Sequence, residues 1–231
     1  MLTLSQFKNT LFDLLFPPRC IGCGSSDGFL CLDCSQSFPK LSPPYCLRCG
    51  MPAGGGSICS QCIKLVAIDG IRSPFLYRDL AREAIIQLKY KRIKALAEPM
   101  GQLLASYLSL NPLPIDTLVP VSLHPKRVRE RGYNQSFLIA RELGRLADLP
   151  VMENSLVRLR NTAPQVRITG TGQRQLNVRG AFRCEDRSFQ GRHVLVVDDV
   201  CTTGATLDAC ALALKEAGAA SVWGLTLARE L

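Results

Sequence analysis

Four Cys-x-x-Cys pairs crowd the stretch between Cys20 and Cys62: Cys20 with Cys23, Cys31 with Cys34, Cys46 with Cys49, and Cys59 with Cys62. This spacing lets both thiolates of a tight turn reach one tetrahedral ion, and four thiolates complete a closed structural zinc site. Eight such ligands make two sites with no open position for catalysis. Sequential pairing, in which the first two pairs hold one ion and the last two another, is the simplest arrangement; a cross-braced pairing of alternate pairs stays open. A disulfide framework is the competing reading for an even cysteine count, and it belongs to secreted chains. The stretch MLTLSQFKNTLFDLLFPP carries Asp13 and has no small-residue cleavage site, so it does not read as a signal peptide. Phe7, Leu11, Leu14 and Leu15 have helical spacing there and predict a short docking helix. A cytoplasmic location is the matching expectation.

The cysteines also divide the chain. Residues 1–65 hold PP pairs at Pro17-Pro18 and Pro43-Pro44, the run Gly54 to Gly56, and poor apolar periodicity, which predicts a small loop-rich module. Residues 66–231 read differently. Strand-like segments (Ser73 to Tyr77, Thr117 to Val121, Val194 to Val197, Ser221 to Ala228) alternate with helical ones (Asp79 to Lys89, from near Pro99, Asn134 to Ala147, Ala205 to Ala217). Asn134 suits a helix N-cap and Gly218 a helix stop. This alternation predicts an α/β fold, with a mainly parallel sheet flanked by helices. No run of apolar residues is long enough to span a membrane.

One stretch of the α/β part carries chemistry. In VLVVDDVCTTGAT, Val194 to Thr206, a buried-type strand meets Asp198 and Asp199, followed by Val200, Cys201, Thr202, Thr203, Gly204, Ala205 and Thr206. Open α/β sheets bind ligands where a parallel strand ends. The threonine hydroxyls, the close approach allowed by Gly204, and the start of a helix at Ala205 make a phosphate cradle. It is not a Walker loop, because no lysine sits in it. Carboxylates repel phosphate but accept hydrogen bonds from vicinal sugar hydroxyls, and a divalent ion could bridge to them. The pair therefore suggests a ribose, with its 5′-phosphate in the threonine loop. Cys201 has no base placed beside it by the sequence, so no nucleophilic role follows.

The formal charge of +9 suggests a polyanionic partner. Two four-thiolate zinc sites, at −2 each, reduce it to about +5. The segment HPKRVRERG places His124, Lys126, Arg127, Arg129 and Arg131 just after a strand, and such a loop can hold diphosphate. Lys89, in LKYKR at a helix end, is a further candidate phosphate contact. So are Arg167 and Arg174, in an arginine-rich stretch that reads as a mobile lid or a nucleic-acid contact. Aromatic residues are sparse there, which gives base stacking little support.

The Asp-Asp-threonine stretch resembles the phosphoribosyl-diphosphate (PRPP) signature of type I phosphoribosyltransferases. With the cysteine module, VPVSLHPKRVRERGYNQS, LKYKR and TAPQVRITGTGQRQLNVRGAF, the whole chain resembles the competence ComF family. That resemblance implies a double zinc ribbon fused to a type I phosphoribosyltransferase-like domain, and a link to uptake of transforming DNA. It makes the His124 to Arg131 segment the pyrophosphate loop and implies Mg²⁺ with PRPP as ligand. Two functions remain open. One is a phosphoribosyltransferase acting on PRPP or a related phosphorylated nucleoside ligand, with no residue assigned a catalytic role. The other is a non-catalytic adaptor that binds nucleotide or single-stranded DNA beside DNA-uptake proteins.

Overall fold

The computed structural model describes residues 18–53, 58–160, 180–184 and 187–231. Its centre is a parallel sheet in the order β1–β7–β6–β3, where β1 is Gly70–Arg72, β3 Thr117–Pro120, β6 His193–Cys201 and β7 Ser221–Arg229. A two-residue strand, β2 (Phe75–Leu76), pairs with β7 further along the edge that β1 occupies. Pro74 lies between β1 and β2, and a proline cannot donate to the ladder. The mainly parallel α/β architecture is thus the one the sequence predicts.

Helices cover both faces, so the central strands must be apolar on both sides. On one face, α2 (Asp79–Tyr90), α3 (Ala97–Leu110) and α5 (Gln135–Ala147) bury Ile85, Leu88, Met100, Leu104, Ile139 and Leu143 against Leu195, Val197 and Leu227. On the other, α6 (Ala205–Glu216) buries Leu207, Cys210 and Leu214 against Val194, Val196 and Val222. Neighbouring residues of β6 alternate between these cores, as the strand period requires. Each such Leu or Ile contributes about 1.5–3 kcal/mol by leaving water. Asn134 caps α5, its side chain accepting from the Ser136 N–H at 3.1 Å. Gly218, at φ +100°, follows the end of α6.

The cysteine-rich segment touches both cores. Leu30 and Phe38, near the short helix α1 (Leu32–Gln36), join the α2/α3/α5 side, where Phe38 meets Phe75 edge-on at 5.3 Å. Cys46, Cys49, Cys62 and Leu65 join the α6 side.

Four differences from the sequence reading stand out. The strand over Val194 to Val197 runs on to Cys201, so both aspartates lie within it. The strand over Ser73 to Tyr77 shortens to Phe75–Leu76. The basic segment is a helix, α4 (Pro125–Arg131), rather than a loop: His124 caps it by accepting from the Lys126 N–H, Pro125 opens it, and Gly132 ends it at φ +83°. Three short strands, β1 and the antiparallel pair β4 (Leu156–Arg158) and β5 (Phe182–Cys184), are too brief to show a period. The N-terminal docking helix, Gly54 to Gly56 and the arginine-rich stretch with Arg167 and Arg174 lie outside the described residues. Among the described residues no helix is long and apolar enough to cross a membrane.

Candidate ligand site and metal centres

The eight cysteines gather into two groups, Cys20/Cys23/Cys31/Cys34 and Cys46/Cys49/Cys59/Cys62, with the Sγ atoms of each group within 4.8 Å of one another. Pairing is therefore sequential and not cross-braced. Sγ separations of 3.6 Å (Cys23 to Cys31), 3.4 Å (Cys46 to Cys62) and 3.6 Å (Cys49 to Cys59) are far beyond a disulfide bond. They are close to the edge of roughly 3.8 Å that a tetrahedron with Zn–S near 2.3 Å requires. Backbone N–H groups point at sulfur: Cys31 N to Cys20 at 3.4 Å, and Cys59 N to Cys46 at 3.3 Å. Burial pushes the Cys20 and Cys46 thiols up, but such donors outweigh it and hold each at about 6. The donor sets fit structural zinc.

On β6, Asp199 is buried and pairs with Lys89, whose Nζ reaches over from α2 to Oδ2 at 2.8 Å. Asp198 Oδ1 accepts from Ser136 Oγ at 2.7 Å and from the Asp199 N–H at 2.9 Å. Burial, then the neighbouring Asp199 charge, raises the Asp198 carboxyl to about 6, despite the opposing pull of Lys89 and Ser136. Burial alone would lower the Lys89 ammonium; Asp199 and Asp198 together hold it above its usual value. Two carboxyls thus share one lysine, leaving the group an acceptor-rich, anionic site. Sequence reasoning placed Lys89 on phosphate; here its partner is an aspartate. It missed Ser136, for which a lone hydroxyl in a helix's first turn gives no signal.

The loop Thr202 to Gly204 leads directly from these acids into α6. Thr202, Thr203 and Thr206 are half-buried, and Thr203 Oγ1 accepts from the Ala205 N–H at 3.4 Å. Gly204 sits at φ +83°, and a Cβ there would lie 2.8 Å from Ile71 Cδ1, so only glycine fits. Val200 packs into the α2/α3/α5 core. Cys201 is buried, which pushes its thiol up and away from nucleophilic use.

On α4, Lys126 and Arg129 are exposed and Arg127 is half-buried. Arg131 is engaged locally, stacking 5.4 Å over the Tyr90 ring and donating to Gln135 Oε1. Arg158, on β4, lies 5.2 Å over Phe182. Burial first, then the like charge of Arg127, lowers its guanidinium, while Asp198 acts the other way. Arg158 therefore joins Arg127 and Asp198 in one electrostatic neighbourhood, which sequence reasoning had not singled out.

Residues 11–63 match the double zinc ribbon domain family, and residues 136–230 match the phosphoribosyl transferase domain family. The protein is thus a phosphoribosyl transferase-like α/β domain behind a double zinc ribbon. It is similar to the DNA utilization protein YhgH of Salmonella typhi (32% identity, covering 79% of this chain and 82% of that protein). It is similar also to competence protein ComFC of Bacillus subtilis (29% identity, covering 88% and 85%). Among solved structures, glutamine PRPP amidotransferase from B. subtilis aligns with 61% of this chain and 30% of its own, at 17% identity and a TM-score of 0.42. The chain belongs to the ComF family.

Proposed function

We propose that the site at the end of β6 binds Mg²⁺-PRPP, or a closely related phosphorylated ribose, and that the protein is a phosphoribosyltransferase-type enzyme acting in DNA uptake. The observation that carries this reading is the juxtaposition on one strand end: two aspartates sharing a single lysine, then a hydroxyl-rich loop entering a helix. Asp198 and Asp199 accept the vicinal hydroxyls of a ribose. Thr202, Thr203 and the first N–H groups of α6 take its 5′-phosphate. Lys126, Arg127 and Arg129 supply positive charge for a departing diphosphate, where negative charge grows in the transition state. A magnesium ion held at the carboxylates would add Lewis-acid stabilisation of that same charge. Ionised Asp198 and Asp199 also stabilise positive charge developing at the anomeric carbon. The names of relatives, a competence protein and a DNA utilization protein, support the link to DNA handling.

Titration calorimetry tests the reading. Mg²⁺-PRPP binds the wild-type protein and not Asp198→Asn/Asp199→Asn. Absence of binding to wild type at near-millimolar PRPP would falsify it. A screen for diphosphate release across bases, amines and DNA ends then identifies the acceptor.

A further inference from the structure

Arg229 closes β7 with only 1% of its surface exposed. Its Nη1 donates to the Cys49 carbonyl at 2.8 Å, and its Nε has no hydrogen-bond partner among the described residues. None of the ion pairs among those residues involves it. A buried cation is expensive unless a counter-charge lies beside it. What lies beside it is the second cysteine cluster, which carries two net negative charges once four thiolates hold one Zn²⁺.

The same corner of the molecule builds the threonine loop. Arg229 pairs in register with Cys201, and the Glu230 N–H donates to the Cys201 carbonyl at 2.9 Å. Leu65, shortly after the last cysteine knuckle, donates its N–H to the Cys62 carbonyl and stands with Ile71 against Gly204. Asp208, in the first turn of α6, accepts from the N–H groups of Val66, Ala67 and Ile68 at 3.2, 2.9 and 3.0 Å. Its own N–H returns to the Gly204 carbonyl at 2.9 Å. Arg48, inside the third knuckle, donates to the Ile68 carbonyl at 2.9 Å. Among the described residues the first cluster has no such links. It packs instead on Leu80 of α2, and the cation next to it, Arg19, is exposed and bonds the Gly24 carbonyl.

We propose that the two metal centres have different roles: zinc at Cys46/Cys49/Cys59/Cys62 neutralises buried Arg229 and, through Arg229, Leu65 and Asp208, holds the Thr202 to Gly204 loop in shape, whereas zinc at Cys20/Cys23/Cys31/Cys34 does not. Arg229 is a positioning residue for the loop and an outer-shell partner of the metal. This goes beyond the ligand reading and does not depend on PRPP being bound.

The test uses full-length, zinc-loaded protein with a chromogenic chelator, alongside hydrogen exchange of backbone amides. Arg229→Met loses one of its two zinc ions at a chelator concentration about tenfold lower than wild type, in line with the 10–100-fold cost of losing an outer-shell partner. Arg19→Met releases zinc as wild type does, and Arg229→Lys, which keeps the charge, recovers part of the loss. Amides from Thr202 to Asp208 exchange faster in step with departure of the second-cluster ion. If Arg229→Met does not fold, wild-type protein decides the matter: exchange at 202–208 is followed while its two ions are withdrawn one after the other, and Cys23→Ser shows which ion is which. Equal zinc release from Arg229→Met and wild type overturns the proposal. So does unchanged exchange at 202–208 after the second-cluster ion has gone.

Discussion

Asp199 and Arg229 lie at the ends of neighbouring strands of one sheet, and both are almost wholly buried, at 3% and 1% exposure. Asp199 has a lysine 2.8 Å away; Arg229 has a carbonyl and the face of a cysteine cluster. The acidic end is charged beyond what its one lysine balances, because Asp198 stands beside Asp199. The basic end has no carboxylate partner among the described residues. Each imbalance is one that a proposed partner would complete: the hydroxyl-rich, cation-bearing ligand at the acids, and the metal–thiolate dianion at the arginine. Burying charge without a partner costs several kcal/mol per ion. An incomplete buried pair is therefore a sharper marker of a ligand than a complete one.

The most damaging way to disturb this comparison is to remove the partner that Asp199 does have. Lys89→Met leaves two carboxylates buried against each other. At pH 8 it costs about 3–5 kcal/mol in urea unfolding, the usual penalty for breaking a buried pair. Because Lys89 is held above its usual pKa, that cost does not fade on the alkaline side. It shrinks as the pH falls, and from above pH 6, because Asp198, which Lys89 holds down in the wild-type protein, takes up its proton at higher pH in the variant. Adding Asp199→Asn restores most of the loss. A Lys89→Met protein as stable as wild type at pH 8 would mean the pair carries no weight in the fold.

The second perturbation acts in the opposite direction. Asp198 titrates at about 6 in the folded protein, above its ordinary value of 3.8. The folded state thus binds this proton more tightly than the unfolded chain does, so ionising Asp198 opposes folding. The opposition is complete above about pH 6 and absent below about pH 4. Asp198→Asn removes it, stabilising the protein at pH 8 by on the order of 2–3 kcal/mol. The gain fades as pH falls towards 4, while PRPP binding is lost at every pH. Thermal unfolding across pH 4–8 reads the effect, and a destabilised Asp198→Asn at pH 8 contradicts it. Stability withheld at Asp198 is the expected signature of a site kept for a ligand.

Much of this was legible in the sequence, and the reasons are physical. The cysteine pairs state their ligand chemistry in their spacing. Long apolar runs such as Val194 to Val197 and helices such as Gln135–Ala147 carry a period that survives folding. The basic segment failed as a loop because His124, Pro125 and Gly132 act together as cap, first turn and stop of a helix, a combination that a reading by charge passes over. Lys89 was assigned by charge alone, and charge does not say whether the partner is a phosphate or a buried aspartate. Arg229 gave no signal, since an arginine one residue past an apolar strand usually reaches water; only tertiary packing places it on Cys49, which lies 180 positions earlier in the chain. Ser136 is the same kind of residue: its meaning depends on β6, where Asp198 arrives 62 residues later.

Ser136 offers the finest test of the comparison, because its hydroxyl touches one acid of the pair. It donates to Asp198 Oδ1 at 2.7 Å and is fully buried. A hydrogen bond to an ionised group contributes about 1.5–3 kcal/mol, against about 0.5–1.5 kcal/mol for a neutral pair. Ser136→Ala therefore costs about 1.5–2 kcal/mol at pH 8, where Asp198 is ionised, and about half that at pH 5, where most of it is protonated. The variant also pushes the Asp198 carboxyl above its present value of about 6, so the acid-side stability gain begins at higher pH. In the Asp198→Asn background, where no charge is left to solvate, the same substitution costs no more than the neutral figure; contacting residues are expected to couple in this way. If the Ser136→Ala penalty is identical at pH 5, at pH 8 and in the Asp198→Asn background, the hydroxyl only fills space. The acid pair would then be held by Lys89 alone, and the difference between the acidic and basic ends would rest on a single ion pair.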